Sequence, residues 1–219
     1  MKRVLKDPEE RRKELIETAA RLFTTVGYEQ TAISDIVKEV NVSQGAFYYY
    51  FDSKEEVLVA VLEKEIADRE KDFKQIAERT DVDEAVKLNL MFNRFINPGD
   101  SGRKIFSFIH QERSATLFKK LRKSRPFLTI APIMADVILK GTEKGRFNVA
   151  YPTETSVLIL LMLAPARHLI NLSEERSEQN GTEPEGKEHL ENINRALEDL
   201  LGRILGISDY KFCLQTQAA

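Results

Sequence analysis

The chain has 219 residues, of which 42% are hydrophobic and 31% charged, a balance typical of a globular protein with a packed core. Ten glycines, seven prolines and a single cysteine exclude a collagen-like chain and a disulfide-stabilised scaffold. The net charge of −2 excludes a uniformly basic protein, so any binding of nucleic acid has to depend on local features.

Signals for the start and the end of helices recur from the N-terminus onward. Asp7 and Pro8 predict the N-cap and the first residue of a helix, because Asp accepts a free backbone N–H and Pro lacks one. Gly27 predicts the left-handed residue that follows this helix. Thr31 is then expected to cap a second helix.

The next segment predicts a helix-turn-helix. Asn41 tolerates a left-handed turn, and Ser43 is expected to cap a short third helix over 44–50. The stretch 40–51 carries no formal charge and includes five aromatic residues. Because such a short helix cannot bury all of its sides, we assign Phe47 to the core and expect some tyrosines to face solvent.

The exposed polar groups of this short helix are candidates for binding a polyanion. Hydroxyl and amide groups suit phosphate oxygens, and the amide of Gln44 can pair with the edge of an adenine. The alternative is that the tyrosines only pack loosely around Phe47 and Phe51, with no ligand.

Residues 11–58 resemble the DNA-binding domain of the TetR/AcrR family of one-component bacterial regulators. The resemblance depends on many residues in one unbroken register: Arg12, Ile16, Ala19, Ala20, Leu22, Phe23, Gly27, Thr31, Ile33, Ile36, Val42, Ser43, Gly45, Tyr48, Tyr50, Phe51, Lys54, Glu55 and Leu58. One departure is Asn41, which stands where the family usually has a turn glycine.

The resemblance implies that the helix at 43–49 enters the major groove of DNA. Thr31 and Lys54 would then hold the phosphate backbone, and Gly45 would let the helix approach closely. The full set of residues expected at the DNA is Thr31, Ser43, Gln44, Gly45, Ala46, Tyr48, Tyr49, Tyr50 and Lys54.

Helical patterns continue to the C-terminus and predict an all-α protein, with a three-helix DNA-binding domain at 1–52 and a larger helical domain at 53–219. Asp81 to Glu84 is predicted to form a capping box with Asp81 as the N-cap. Ser173 to His189 lacks apolar residues and is predicted to be a solvated loop. Because three short helices bury little surface, the first domain is expected to pack against the helix that starts at Lys54. Further helices are expected at about 54–79, 83–96, 102–113, 115–124, 126–144, 153–171 and 188–205.

The resemblance also implies that the larger domain dimerises through its last two long helices, at about 153–171 and 188–205. The run 157–164 is apolar on every side, so one of its faces has to meet something beyond its own neighbours. A helix buried in the core of a monomer is the alternative.

A pocket for a small, largely apolar effector is expected in the larger domain, among the helices at 83–96, 103–113 and 126–144. Residues 101–125 carry eight basic side chains, which are expected to form a solvated helix face. The alternative is that they form a binding site for an anionic effector. The candidate pocket residues are Phe92, Asn93, Phe106, His110, Arg113, Phe127 and Met134.

No catalytic site, metal site or cofactor is predicted. The three histidines are scattered, and neither a nucleophile elbow nor a phosphate-binding loop is present in the sequence. The longest apolar run, 157–166, is too short for a membrane span, and residues 1–13 lack the apolar core of a secretory signal. We therefore expect a cytoplasmic protein that is not an enzyme.

Two functions remain after these exclusions. The first is a homodimeric, ligand-responsive repressor that binds a near-palindromic operator in double-stranded DNA and is released by a small effector. The second is a helical carrier of a small molecule or lipid that does not bind DNA. The carrier requires Tyr48 and Tyr49 to be buried.

Overall fold

The computed structural model describes residues 7–97, 126–165 and 184–214, and within these ranges every regular element is an α-helix. The all-α prediction is therefore confirmed, while the helices expected at 102–113 and 115–124 lie outside the described residues. The eight helices of the described ranges are α1 (Pro8–Thr25), α2 (Ile33–Val40), α3 (Gln44–Tyr50), α4 (Lys54–Glu78), α5 (Glu84–Ile96), α6 (Pro126–Glu143), α7 (described over 152–165) and α8 (Pro184–Leu205).

The described residues form two compact units. The first unit comprises 7–67, which contain α1, α2, α3 and the N-terminal part of α4. The second unit comprises 68–97, 126–165 and 184–214. The division into domains at 1–52 and 53–219 stays a prediction.

One apolar cluster holds the first unit together. Its buried members come from all four helices and include Leu15 and Phe23 of α1, Ile36 of α2, Phe47 of α3 and Leu58 of α4. The three short helices thus complete their core with the first turns of α4, as their small size predicts.

The helix ends of the first unit confirm most of the local predictions. The Asp7 side chain accepts a hydrogen bond from a backbone N–H of the first turn of α1 at 2.9 Å, and Pro8 is the first helical residue. Gly27 has a φ of 107°, a conformation that residues with a Cβ rarely adopt. Asn41 is left-handed, with φ 57° and ψ 50°.

Two predicted N-caps were wrong. The N-cap of α2 is Ala32 and not Thr31, because the Thr31 hydroxyl donates to the carbonyl of Gly27 at 2.6 Å. The N-cap of α5 is Asp83, whose side chain accepts a backbone N–H at 2.9 Å. Asp81 pairs with the preceding Arg79, whose hydrogen bond lowers the pKa of Asp81 to about 2.

The solvated loop predicted over 173–189 was wrong at its C-terminal end, because α8 already begins at Pro184. Proline suits the first turn of a helix, since it lacks the N–H that has no partner there. Glu and Lys are also good helix formers without any apolar partner. Residues 173–183 lie outside the described residues.

The second unit has its own apolar cluster, to which α5, α6, α7 and α8 all contribute. Met91 and Phe95 of α5, Ile138 of α6, Leu160 of α7 and Leu201 of α8 are each at most 1% exposed. The last two helices therefore turn one of their faces toward this core.

A buried carboxylate ties α5 to the end of α6 in the second unit. Glu84 is 5% exposed and accepts a hydrogen bond from the ammonium of Lys144 at 2.6 Å. Burial by itself raises the pKa of Glu84. Hydrogen bonds from Lys144 and the backbone lower this pKa, as do the positive charges of Lys144 and Lys87, and together they exceed the effect of burial. The pKa of Glu84 is therefore lower than usual.

Candidate nucleic-acid interface

The helix-turn-helix expected from the sequence is present in the first unit. α2 ends at Val40, the left-handed Asn41 turns the chain, and α3 begins at Gln44. The Ser43 hydroxyl accepts a hydrogen bond from the backbone N–H of Ala46 at 3.3 Å, which caps α3 as predicted. α2 packs against both α1 and α3, so the position of α3 depends on α2.

α3 has one buried side and one exposed side. Phe47 is 0% exposed, which confirms its assignment to the core. Tyr48 and Tyr49, in contrast, are 53% and 76% exposed. Tyr50 is half-buried, and its ring lies edge-on to that of Tyr49 with 4.9 Å between centroids. This arrangement does not meet the requirement of the carrier hypothesis that the tyrosines be buried.

Small and polar residues extend the exposed side toward the start of α3. Ser43, Gln44 and Gly45 are exposed, and Ala46 is half-buried. A Cβ added at Gly45 would meet only the hydroxyl of Ser43, at 3.9 Å, so the fold itself does not require a glycine here. Another molecule can approach the helix backbone closely at this point. We call this surface the α3 face; it consists of Ser43, Gln44, Gly45, Tyr48 and Tyr49.

The α3 face carries no formal charge, and two arginines of α1 are paired with carboxylates. Arg11 donates to Glu14 at 2.8 Å, and Arg21 of α1 forms an ion pair with Glu39 of α2. Any affinity of this face for a polyanion thus has to come from placed hydrogen bonds and stacking more than from a basic field.

Thr31 does not reach this surface. Its side chain is 1% exposed, and its hydroxyl is engaged with the carbonyl of Gly27. A phosphate contact through this side chain is not accessible in this conformation, so we remove Thr31 from the candidate interface.

Lys54 is half-buried, and its side chain is turned to the loop between α1 and α2. Its ammonium donates to the carbonyl oxygens of Tyr28 at 2.8 Å, Thr31 at 3.1 Å and Glu29 at 3.4 Å. An ammonium has three N–H donors, so these bonds use its whole donor capacity. The structure therefore does not place Lys54 as the predicted phosphate clamp.

Residues 15–61, which include α2, α3 and the first turns of α4, match the family model described as bacterial regulatory proteins, tetR family. This segment is a TetR-family domain. The match covers the exposed and the buried sides of α3 alike, so the candidate interface lies entirely within the TetR-family domain.

Two curated relatives match part of this chain. The uncharacterized HTH-type transcriptional regulator YuxN of Bacillus subtilis is 49% identical over 53 residues, which are 24% of this chain and 18% of the relative. The negative transcriptional regulator IcaR of the Staphylococcus epidermidis biofilm operon icaADBC is 42% identical over 43 residues, 20% of this chain and 23% of the relative. The chain thus spans less than a quarter of the length of each of these relatives.

A solved structure extends the likeness beyond the TetR-family domain. It is a TetR-family transcriptional regulator from Pectobacterium atrosepticum, with a TM-score of 0.70 over 93% of this chain and 98% of that chain. The sequence identity is 22%, so this likeness shows the fold alone.

The predicted effector pocket is only partly covered by the described residues. Phe92 and Met134 are 0% exposed in the core of the second unit, where the Phe92 ring packs 5.3 Å from that of Phe212. Asn93 donates its amide to the carbonyl of Cys213 at 2.7 Å, which gives this side chain a structural role. Phe106, His110 and Arg113 lie outside the described residues, as does the side chain of Phe127, whose backbone belongs to α6.

The segment that follows α8 was not predicted from the sequence. Phe212 and Leu214 are 1% and 5% exposed, whereas Cys213 between them is exposed. The side chain of Asn89 accepts a hydrogen bond from the backbone N–H of Cys213 at 2.9 Å. Apolar residues at every second position from 210 to 214 were the available signal, because that period is typical of an extended chain with one buried side.

Within 7–97, 126–165 and 184–214, no group of three or more His, Cys, Asp or Glu residues is placed to hold a metal ion. No helix in the same ranges is long and apolar enough to cross a membrane.

Proposed function

We propose that this chain is a transcriptional regulator that binds double-stranded DNA through the α3 face. The observation that carries the proposal is the division of α3 between a fully buried Phe47 and two tyrosines that are 53% and 76% exposed. An uncharged helix face with hydroxyl, amide and aromatic groups suits base edges and phosphates in a groove. The TetR-family domain that contains it supports the same function.

The residues of the α3 face supply distinct contacts in this proposal. The Gln44 amide can donate to and accept from an adenine edge, which would give sequence specificity. The hydroxyls of Tyr48 and Tyr49 can donate to phosphates, which would fix the register of the helix on the duplex. Gly45 would let the helix backbone approach the DNA without a side chain between them.

We further propose a homodimer formed through α7 and α8. Each of these helices has apolar residues on two sides, one of which belongs to the core of the second unit. The other side stays exposed in the single chain and would be buried by a second copy in a four-helix interface. On α7, Leu158 is 64% exposed and Leu161 is 52% exposed. On α8, Leu200 is 44% exposed and Ile204 is 39% exposed.

The proposed regulator is a repressor that a small, largely apolar effector releases from DNA. The description of the relative IcaR as a negative regulator supports the sign of the regulation. The apolar character of the effector rests on the candidate pocket residues of the sequence, of which Phe92 and Met134 are buried in the second unit. By linkage, an effector that lowers operator affinity must itself bind more weakly when the operator is present. Equal effector affinity with and without operator would contradict this part.

The first test is the selection of binding sites from random double-stranded DNA, followed by titration of the enriched site against salt. We expect a near-palindrome with half-sites about 34–36 Å apart, as two symmetric recognition helices require. The logarithm of the binding constant should fall linearly with the logarithm of the salt concentration. An enriched site without symmetry would contradict the dimer. The absence of any enriched site, with and without added cell extract, would contradict DNA binding.

A further inference from the structure

Lys54 occupies a position where a cation is ordinarily unfavourable. It is the first residue of α4, and the N-terminal end of a helix carries a partial positive charge. A DNA phosphate could offset this only in a complex. In the free protein the side chain instead turns to the loop between α1 and α2, where carbonyl oxygens converge on its ammonium.

The contacts of Lys54 are those of an internal clamp. Its three carbonyl partners belong to Tyr28, Glu29 and Thr31, which precede it by 26, 25 and 23 positions. The ammonium also lies 4.2 Å from the centroid of the Tyr28 ring, an arrangement that favours a cation. That ring is 8% exposed and packs edge-on against Phe23 at 5.0 Å, so one end of the clamp is fixed in the core.

The clamped loop determines where α2 starts. The Thr31 hydroxyl and backbone N–H both donate to the carbonyl of Gly27, at 2.6 and 3.2 Å. The backbone N–H of the next residue, Ala32, donates to the carboxylate of Asp35 at 2.8 Å. Because α2 in turn packs against α3, a displacement of this loop would move the α3 face.

We propose that Lys54 is a positioning residue for DNA binding: it clamps the loop at 28–31, and through α2 it holds the α3 face in the orientation that fits a groove. It does not bind a phosphate itself. This inference rests on the proposed function, since it concerns the same interface.

The salt dependence of DNA binding separates a clamp from a phosphate contact. Each phosphate contact contributes about 0.9 to the slope of log K against log salt, so losing one in each protomer of a dimer would lower the slope by about 1.8. We expect Lys54→Met to weaken binding by about tenfold, the scale of one lost charge-assisted hydrogen bond, with an unchanged slope. The affinity is referred to the concentration of binding-competent protein, so that a loss of folded molecules does not imitate the effect.

Lys54→Arg provides a second discrimination. A guanidinium binds phosphate at least as well as an ammonium, so a phosphate contact predicts retained affinity. The clamp predicts a loss close to that of Lys54→Met, because a planar guanidinium cannot direct three N–H groups at three converging carbonyls. Lys13→Met is the matched control for the loss of one positive charge, since the Lys13 side chain is 69% exposed on α1.

Hydrogen exchange of the DNA-free protein tests the clamp independently. Amides of residues 28–35 should exchange faster in Lys54→Met than in the wild type, and no faster in Lys13→Met. A lowered salt slope in Lys54→Met, full affinity in Lys54→Arg, or unchanged exchange would each overturn the proposal. If the wild-type protein selects no DNA sequence, the proposed function fails, while the exchange comparison still decides whether Lys54 clamps the loop.

Discussion

Two neighbouring aromatic residues of α3 should respond in opposite ways to truncation. Phe47 is 0% exposed, so Phe47→Ala removes a full core side chain and should lower the free energy of unfolding by about 3–5 kcal/mol. Tyr49 is 76% exposed, so about a quarter of its surface is in contact with the protein. Because burying a whole aromatic side chain stabilises by about 1.5–3 kcal/mol, Tyr49→Ala should cost below about 1 kcal/mol.

The effect on DNA binding should be the reverse. Tyr49→Ala removes a ring and a hydroxyl from the α3 face and should weaken binding to the selected site by about 10- to 100-fold, the range of one lost hydrogen bond to a charged phosphate. Chemical denaturation followed by circular dichroism gives the stability, and fluorescence anisotropy with labelled DNA gives the affinity. Tyr151→Ala is the matched control, because Tyr151 is 70% exposed but lies in the second unit.

Two results would refute this reasoning. If Tyr49→Ala destabilises the protein as strongly as Phe47→Ala, the tyrosine is buried in solution, and the carrier hypothesis regains support. If Tyr49→Ala binds the selected DNA as tightly as Tyr151→Ala, the α3 face is not the interface.

Three further predictions concern the interface, the dimer and the second unit. Gly45→Ala should raise the free energy of unfolding by at most about 1 kcal/mol, since Ala favours a helix, yet weaken DNA binding in the same anisotropy titration; unchanged affinity would show that close approach is not needed. Leu158→Glu combined with Leu161→Glu should convert the proposed dimer to folded monomers in sedimentation velocity, whereas a dimer that stays intact would place the interface elsewhere. Because the pKa of Glu84 is lowered in the folded protein, its stabilising contribution is present above the ordinary carboxyl pKa and is lost as the pH falls through the folded value. Glu84→Gln should therefore cost less than about 2 kcal/mol near pH 7 and flatten the acid side of the profile of unfolding free energy against pH; an unchanged profile would contradict this role.

The sequence predicted the elements whose causes are local. Asn41 and Ser43 mark the turn and the cap of α3 because a left-handed residue and a side-chain acceptor are needed within a few positions of each other. Phe47 could be assigned to the core because α3 is too short to bury all of its sides and Phe47 lacks the hydroxyl of the tyrosines beside it. Such features need no knowledge of the rest of the fold.

Predictions failed where two local candidates competed or where the partner is distant in sequence. Thr31 has the right side chain for an N-cap, but its hydroxyl is taken by Gly27, and α2 starts one residue later. Phe212 packs against Phe92 in the core of the second unit. The adjacent Cys213 accepts a hydrogen bond from Asn93, which lies 120 positions earlier in the chain. No pattern within a window of ordinary length reports such a contact.

Lys54 shows why a matched motif does not settle the role of its residues. The same lysine at the start of a helix can hold a phosphate or the carbonyls of its own domain. Its ammonium lies 2.8, 3.1 and 3.4 Å from three carbonyl oxygens, and these contacts favour the second role. The α3 face has no formal charge, so long-range attraction cannot compensate for a misplaced helix. Binding through such a surface depends on the geometry of a few hydrogen bonds, and residues that orient α3 from inside the domain should then affect affinity as strongly as those that contact DNA.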